Sequence, residues 1–266
     1  RLEKDETAGE ELDHRALGDL MHSALKRLIP ELQQRGQWPP AKTQQALVGQ
    51  LLDRALVGAV DEVSRTLPLG HHLLFEVSVE RARRELLRLL FEPAISPFIG
   101  SQPKAFEASF GRNDSAAALR HVSLPPALPS ERPIFLTGAI DRLDVAPGQA
   151  LVVDYKLSRP GTPKARLDAM LLQDFQLPLY LYVTKTLHPE RKVDAAWVGL
   201  RRSEALVLSR VLKDEKGSLD DILAVDEPTR RRMADEERPN LANSVHGLQA
   251  ALRKGDFGAR PLDCKF

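Results

Sequence analysis

The sequence has few cysteines and aromatic residues, almost no net charge and no long hydrophobic run. Its single cysteine, Cys264, excludes a disulfide within the chain and favours a reducing compartment. No stretch reaches about eighteen apolar residues, so we expect neither a membrane span nor a membrane partner. The net charge of +1 excludes a general polycation, and nucleic-acid binding would therefore require basic residues concentrated on one face.

A GxxxxGK[ST] nucleotide-binding motif is also missing, so a motor driven by ATP would lie elsewhere in a longer chain or on a partner. The chain starts with arginine and stops soon after Cys264, and we interpret both ends as cuts within a longer polypeptide. What is present is the composition of a globular protein. Hydrophobic residues make up 42% and charged residues 28%, which allows a sizeable core.

Helical periodicity dominates the N-terminal part, residues 1–100. Apolar residues recur there at steps of three and four, which places them on one face of each helix. We predict helices at about residues 15–29, 41–66 and 75–91, separated by segments that contain glycine and proline.

Strand patterns follow in the second part, residues 101–266. Two segments rich in β-branched residues, PIFLTGAIDRLDV and ALVVDYKLS, are separated by the turn residues 146–149, which predicts a β-hairpin. The other predicted elements are a strand at 105–111, a loop or hairpin connection at 112–133, a helix at 164–187, strands in DAAWVGLRR and ALVLSRV, and a helical segment at 228–254 interrupted near Pro239. This order indicates an α/β or α+β core with an N-terminal helical annex, the two parts forming one structural unit.

Charged residues interrupt the apolar hairpin strands. Side chains alternate along a strand, so Asp154 and Lys156 point to the same face, and Asp141 on the partner strand can face them. One interpretation is structural, with Asp154 or Asp144 pairing with Lys156 or Arg142. The other is a site for a divalent cation such as Mg²⁺ or Mn²⁺, which prefers carboxylate oxygens and water.

Several motifs together resemble a known family. They are GAID at residues 138–141, DYK at 154–156, ALGDLMHSAL at 16–25, QLPLY at 176–180 and DFGARPLDCKF at 256–266. The pattern is similar to the PD-(D/E)XK nucleases, and more narrowly to the RecB-type nuclease domains of bacterial helicase–nucleases, including the AddB group. The resemblance implies a restriction-endonuclease-like fold, with a central mixed sheet flanked by helices and an N-terminal helical annex.

The resemblance also implies roles for individual residues. Asp141, Asp154 and Lys156 would be catalytic, and Lys156 would position the attacking water. The implied metal ligands are His22, Asp141, Asp154 and the carbonyl of Tyr155; the implied DNA-binding residues are Gln176 and Tyr180, to which Lys164 and Arg166 are added as phosphate contacts after the hairpin.

Each of these roles has a plainer alternative. His22 could be a partly buried histidine bonded to a carbonyl, and Gln176 and Tyr180 could belong to an ordinary amphipathic helix. Glu107 matches a frequent family acid and is expected to act behind the metal ligands or at a second metal, although a salt bridge would also explain it. Many family members bind an iron–sulfur cluster through four cysteines, but Cys264 alone is present, so only a longer parent chain could hold a cluster.

The expected function is metal-dependent hydrolysis of DNA phosphodiester bonds in repair or recombination. The expected partners are DNA and a helicase domain or subunit, and the expected location is the bacterial cytoplasm. The alternatives are a catalytically degenerate nuclease fold that acts as a scaffold for DNA or for another subunit, and a stand-alone site-specific endonuclease. Loss of cleavage on removal of the Lys156 amine would separate an enzyme from a scaffold.

Overall fold

The computed structural model describes residues 14–65, 72–111, 122–125, 132–157, 175–214, 217–223, 228–229 and 240–254. Predictions that fall on other residues, including the segment before residue 14 and the C-terminal DFGARPLDCKF motif, lie outside the described residues. Among the helices of these ranges, none combines the length and the hydropathy needed to cross a bilayer.

Three helices form the N-terminal part, as the periodicity predicts. They are α1 (His14–Gln34), α2 (Gln45–Ser64) and α3 (His72–Leu90), with short 3₁₀ turns at Lys42–Gln44 and Pro93–Ile95. Helix α1 runs past its predicted end at residue 29, through Pro30, because Leu32 is fully buried and continues the apolar stripe.

A mixed sheet forms the centre of the molecule. The strands are β1 (Gln102–Phe110), β2 (Val122–Leu124), β3 (Ile134–Leu136), β4 (Gly138–Ala146), β5 (Gln149–Lys156), β6 (Lys192–Gly199) and β7 (Glu204–Val207). Five of them form the central sheet in the order β1-β4-β5-β6-β7, in which β5 and β6 are parallel and the other neighbouring pairs are antiparallel. A separate antiparallel pair, β2 with β3, lies outside this sheet.

Within the described ranges from residue 175 onward, four helices follow or flank the later strands. They are α4 (Gln176–Leu187), α5 (Leu208–Asp214), α6 (Leu219–Leu223) and α7 (Leu241–Arg253). Pro178 lies in the first turn of α4, where its missing N–H costs no helical hydrogen bond. The mixed sheet, the flanking helices and the N-terminal helical part confirm the predicted fold class.

One local prediction was wrong. The segment ALVLSRV was predicted as one strand, but β7 ends at Val207 and α5 begins at Leu208. Leu208, Val211 and Leu212 are buried at helical spacing, so tertiary packing overrides the strand propensity of the segment. The interval 112–133, predicted as a loop or hairpin connection, contains the short strand β2, which pairs with β3 in an antiparallel arrangement.

Hydrophobic side chains pack on both faces of the sheet. Helices α1–α3 cover one face, where their cluster includes Val153, Tyr155 and Val198. Helices α4–α7 contribute to the cluster on the other face, which includes Val152 and Trp197. Because neighbouring residues of β5 belong to different clusters, the strand is buried on both faces. The sheet therefore links the N-terminal helices to the rest of the molecule.

Candidate active site

The two acids of the hairpin meet where the ladder between β4 and β5 ends. The last paired row joins Arg142 to Val153, so the next row brings Asp141 opposite Asp154. There the backbone N–H of Tyr155 donates a hydrogen bond of 2.9 Å to Oδ2 of Asp141. The Asp141 carboxylate is therefore fixed at the end of the hairpin ladder, beside the carbonyl group that Tyr155 contributes to the same edge.

A chain of polar contacts leads from Asp154 to helix α4. Asp154 is fully buried, and its Oδ2 lies 3.0 Å from Nζ of Lys156. Nζ of Lys156 also donates to Oε1 of Gln176 at 2.5 Å, and Nε2 of Gln176 donates to the hydroxyl of Tyr180 at 2.8 Å. The predicted catalytic lysine and the predicted DNA-binding pair thus form one connected group.

His22 approaches this group from helix α1. Its Nδ1 lies 3.7 Å from Oδ2 of Asp141, and its ring meets the ring of Tyr155 edge-on at a centroid distance of 5.5 Å. Burial lowers the pKa of His22, although the negative charges of Glu107 and Asp154 oppose that shift. The imidazole is consequently neutral at pH 7, which is the form that ligates metals.

Glu107 joins the site from strand β1. Ligand atoms of His22, Glu107 and Asp141 all lie within 4.8 Å of one another, which is close enough for a single cation to contact all three. Burial raises the pKa of Asp141 to about 6, opposed by the hydrogen bond from Tyr155, and the negative charge of Glu107 adds to the rise.

A second network of charged residues lies in the same hairpin, and its contacts stabilise the fold. Arg142 is fully buried, and its Nε and Nη2 donate to the two oxygens of Asp144 at 2.7 and 2.9 Å. Its Nη1 donates to the hydroxyl of Tyr155 at 2.6 Å, and its guanidinium lies 5.5 Å from the centre of the Trp38 ring. Burial raises the pKa of Tyr155 to about 12, so its hydroxyl stays protonated.

Both structural ion pairs considered from the sequence are therefore present: Asp144 with Arg142, and Asp154 with Lys156. The first pair is consistent with the strand alternation that separates Asp144 from Asp141. The second pair lies next to the cleft, because Lys156 donates a hydrogen bond to Gln176, which lines the cleft. The ion pair and the candidate site are therefore connected.

An open cleft of about 490 Å³ exposes the site. Its lining includes four predicted residues, namely His22, Asp141, Gln176 and Tyr180, together with Glu107. Sequence reasoning missed further lining residues, which are Asp19, Ser23, Lys26, Glu62 and Ala139. The three missed residues on α1 lie within about one turn of His22, so helical spacing from His22 was the signal that could have found them.

Two predicted phosphate contacts, Lys164 and Arg166, lie outside the described residues, as does Cys264. The described part of the chain brings the other predicted site residues together around the end of β5. Their donor set is three carboxylates, one neutral imidazole and a backbone carbonyl. Oxygen-rich sets of this kind with one imidazole suit Mg²⁺ and Mn²⁺, so the residues present fit such an ion.

A mixed sheet with two acids and a lysine at the end of a hairpin defines a class of nucleases, and comparison with known families agrees. The model of the PD-(D/E)XK nuclease superfamily matches residues 1–266, and the chain belongs to this superfamily. Within it, the chain is similar to an ATP-dependent helicase/deoxyribonuclease subunit of Moorella thermoacetica (strain ATCC 39073 / JCM 9320). The two are 29% identical over 197 residues, which are 70% of this chain and 16% of that protein.

Proposed function

We propose that this chain is a deoxyribonuclease domain that hydrolyses DNA phosphodiester bonds with the help of Mg²⁺ or Mn²⁺. The observation that carries the proposal is the convergence, in one cleft, of His22 from α1 with Asp141 and Gln176 from the core. Gln176 accepts a hydrogen bond from the amine of Lys156. Membership of the PD-(D/E)XK superfamily supplies the reaction class.

The residues divide into those that hold the cation and those that act on the substrate. His22, Asp141, Asp154 and the carbonyl of Tyr155 would hold the ion. When bound, the divalent ion would lower the pKa of a coordinated water and neutralise charge on the phosphate. Asp154 and Gln176 hold the Lys156 ammonium in place, so its positive charge is oriented before the substrate arrives.

Gln176 and Tyr180 would contact the DNA strand on one side of the cleft, next to the lysine to which they are linked. Lys26 on α1 is exposed, lines the same cleft one turn beyond His22 and would contact a phosphate. Its neighbouring acid, Glu62, is already bonded to Ser23 at 2.6 Å and to Arg27 at 2.9 Å.

We also propose that the domain works beside a helicase in DNA repair or recombination. The similar Moorella protein is an ATP-dependent helicase/deoxyribonuclease subunit, and the chain matches only 16% of its length. The sequence in hand contains no GxxxxGK[ST] motif, so a motor driven by ATP would lie elsewhere in a longer chain or on a partner.

The rate of DNA cleavage by Lys156→Ala tests the proposal. Linear single- and double-stranded DNA should be degraded by the wild-type chain with Mn²⁺, and Lys156→Ala should lower the rate by at least about a hundredfold because a positioned charge at the reacting phosphate is lost. Lys192→Ala is the matched control, since Lys192 is exposed and lies at the other end of the β5–β6 pair from Lys156.

The alternative functions predict different results. A folded wild-type chain that binds Mn²⁺ and DNA but shows no lysine-dependent cleavage would be a scaffold. Cleavage confined to one sequence and independent of DNA ends would identify a site-specific endonuclease instead. Degradation that starts from ends supports the proposed role in DNA processing.

A further inference from the structure

We propose that an arginine-rich surface, on the same edge of the sheet as Lys156, binds the phosphate backbone of a DNA strand beyond the cleft. This inference rests on the proposed function and gives the DNA a second contact region. The region, which we call the arginine surface, consists of Arg81, Arg84 and Arg88 near the end of α3 and of Arg201 and Arg202 in the turn between β6 and β7.

The turn of the arginine surface begins next to the proposed catalytic lysine. The parallel register of β5 and β6 pairs Lys156 with Gly199, so both strands end at the same edge of the sheet. The N–H of Leu200 donates a hydrogen bond of 2.9 Å to the carbonyl of Lys156, and Arg201 and Arg202 follow directly. Neighbouring strands lie about 4.8 Å apart, so the turn starts one strand spacing from the strand that carries Lys156.

Helix α3 is held against this turn. Nε of Arg88 donates to Oγ of Ser203 at 3.3 Å, and Nε of Arg201 lies 3.6 Å from Oε2 of Glu85. Leu200, at the start of the turn, is fully buried in the hydrophobic cluster of helices α1–α3. The end of α3 and the β6–β7 turn therefore form one continuous surface.

Positive charge is concentrated in the two segments that form this surface. Residues 81–90 and 200–204 contain six arginines and two glutamates, whereas the whole chain has a net charge of +1. A nearly neutral chain can bind nucleic acid only if its basic residues share one face, and these two segments meet that condition.

One carboxylate of the surface is shared between two arginines. Oε1 of Glu85 lies 3.3 Å from Nε of Arg81, and its Oε2 faces Arg201. Arg84 and Arg202 are exposed to solvent. The acid within the surface therefore leaves an excess of positive charge on its outer side.

Structural roles explain other arginines of α3 but not these exposed ones. Arg83 is bonded to Asp53 of α2 through Nε at 2.5 Å and Nη2 at 3.3 Å. Arg88 lies in the last turn of α3, where a cation also stabilises the negative end of the helix dipole. For Arg84 and Arg202 a DNA backbone offers phosphate oxygens, which guanidinium groups bind in bidentate geometry.

The affinity for single-stranded DNA of two lengths tests the proposal. Fluorescence anisotropy, with Ca²⁺ in place of Mn²⁺ and gels to check that the strand stays intact, measures the dissociation constant at several salt concentrations. For a strand of about 20 nucleotides, the double variant Arg84→Gln with Arg202→Gln should bind at least about fivefold more weakly, and its salt slope should fall by about 1.4, because two phosphate contacts are lost. For a strand of about 8 nucleotides, which is too short to reach far beyond the cleft, affinity should stay within about twofold.

The matched control is the double variant Lys192→Gln with Arg210→Gln, which removes the same charge. Both residues are exposed, and they lie toward the other end of β6: Lys192 is its first residue, and Ser209, next to Arg210, donates to Asp194 at 2.5 Å. This control should bind both strands within about twofold of the wild type. Circular dichroism checks that each variant is folded.

A conservative double variant separates charge from shape. Arg84→Lys with Arg202→Lys should keep most of the salt slope of the wild type, because an ammonium group also contacts phosphate as a point charge.

Unchanged affinity and salt slope in the folded glutamine variant, or an equal loss in the matched control, would overturn the arginine surface as a DNA contact. An equal deficit on both strand lengths would overturn it as well, since the contact would not lie beyond the cleft. These results would leave the proposed function intact as long as the wild-type chain cleaves DNA with Mn²⁺ in a manner that depends on Lys156. A wild-type chain that binds no DNA would overturn the proposed function, and this inference with it.

Discussion

Asp141 shows how one residue can be costly for the fold and useful for the site. Its carboxylate is buried at the end of a β-ladder, faces another acid and has one backbone N–H as a fixed donor. Burial and the neighbouring negative charge raise its pKa to about 6, so the ionised form is disfavoured in the metal-free protein. A bound cation would reverse that preference.

The affinity for Mn²⁺ should therefore depend on pH through Asp141. Below a pH of about 6 a proton competes with the cation for this carboxylate, so the association constant should fall roughly tenfold for each pH unit and level off above it. Isothermal titration calorimetry between pH 5 and 8, about the range that spans this pKa, measures the effect. An affinity independent of pH would show that Asp141 does not ligate the ion.

The pH dependence of folding stability has the opposite sign to that of Mn²⁺ affinity. Because the pKa of Asp141 is higher in the folded than in the unfolded chain, its contribution to stability is present at low pH and is lost as the pH rises through about 6. At neutral pH the metal-free fold thus carries a destabilised carboxylate, which is a common cost of a functional site.

At the scale of single elements, strand β1 contains one left-handed residue, Glu107, and is followed by a second, Gly111. Gly111 follows the strand with a φ of +70°, and a Cβ placed on it would lie 1.9 Å from the carbonyl oxygen of Leu136. Gly148, in the turn of the β4–β5 hairpin, has a similar φ of +68°, yet a Cβ there would meet no atom within 4 Å. The two glycines share a backbone conformation and differ in packing.

Alanine substitutions should separate these two effects. Gly148→Ala should cost about 1–2 kcal/mol of unfolding free energy, which is the penalty of a left-handed backbone. Gly111→Ala should cost roughly 3 kcal/mol or more, since β3 must also move away from the new methyl group. Urea unfolding measures both, and equal costs would contradict the close approach of the Leu136 carbonyl to Gly111.

The sequence predicted correctly those helices and strands whose apolar residues recur with a regular period, because one face of each packs against the core. The helices at the N-terminus and the β4–β5 hairpin have regular periods of apolar residues, so their burial is encoded locally. The segment ALVLSRV has a strand-like composition throughout, and its change to a helix at Leu208 depends on packing against distant residues of the second cluster.

At the scale of the whole molecule, the central sheet connects two hydrophobic clusters. Trp38 belongs to the cluster of helices α1–α3, and Trp197 belongs to the cluster on the opposite face. These are the two tryptophans of the chain, so each cluster has one fluorescent reporter. The N-terminal part, residues 1–100, and the core, residues 101–266, stay predicted to form one structural unit.

The single-tryptophan variants Trp38→Phe and Trp197→Phe test that unit. Because strand β5 contributes side chains to both clusters, loss of one cluster exposes residues that the other requires, and the two reporters should show coincident urea transitions after correction for the effect of each substitution. Circular dichroism of both variants is the control. Separate transitions would show that the N-terminal helices unfold independently of the core.

The candidate site was predictable in part, and the limit follows from geometry. Strand alternation places Asp154 and Lys156 on one face, and the resemblance of motifs pointed to His22 and Gln176. The structure places His22 and Gln176 in one cleft, and the Lys156 amine links Gln176 to the buried Asp154. Glu107 lines the same cleft, but strand alternation alone could not place it there, because its left-handed backbone breaks the alternation of its strand.

By itself, the sequence determined the local elements of this protein, since periodic burial and turn residues act over a few positions. It also determined which residues could carry chemistry, because acids and a lysine inside apolar strands are costly without a partner. Only the tertiary structure decided which of these groups meet. The proximity of Glu107 to Asp141, and the approach of His22 to both, arise from strand pairing and helix packing between residues far apart in the chain.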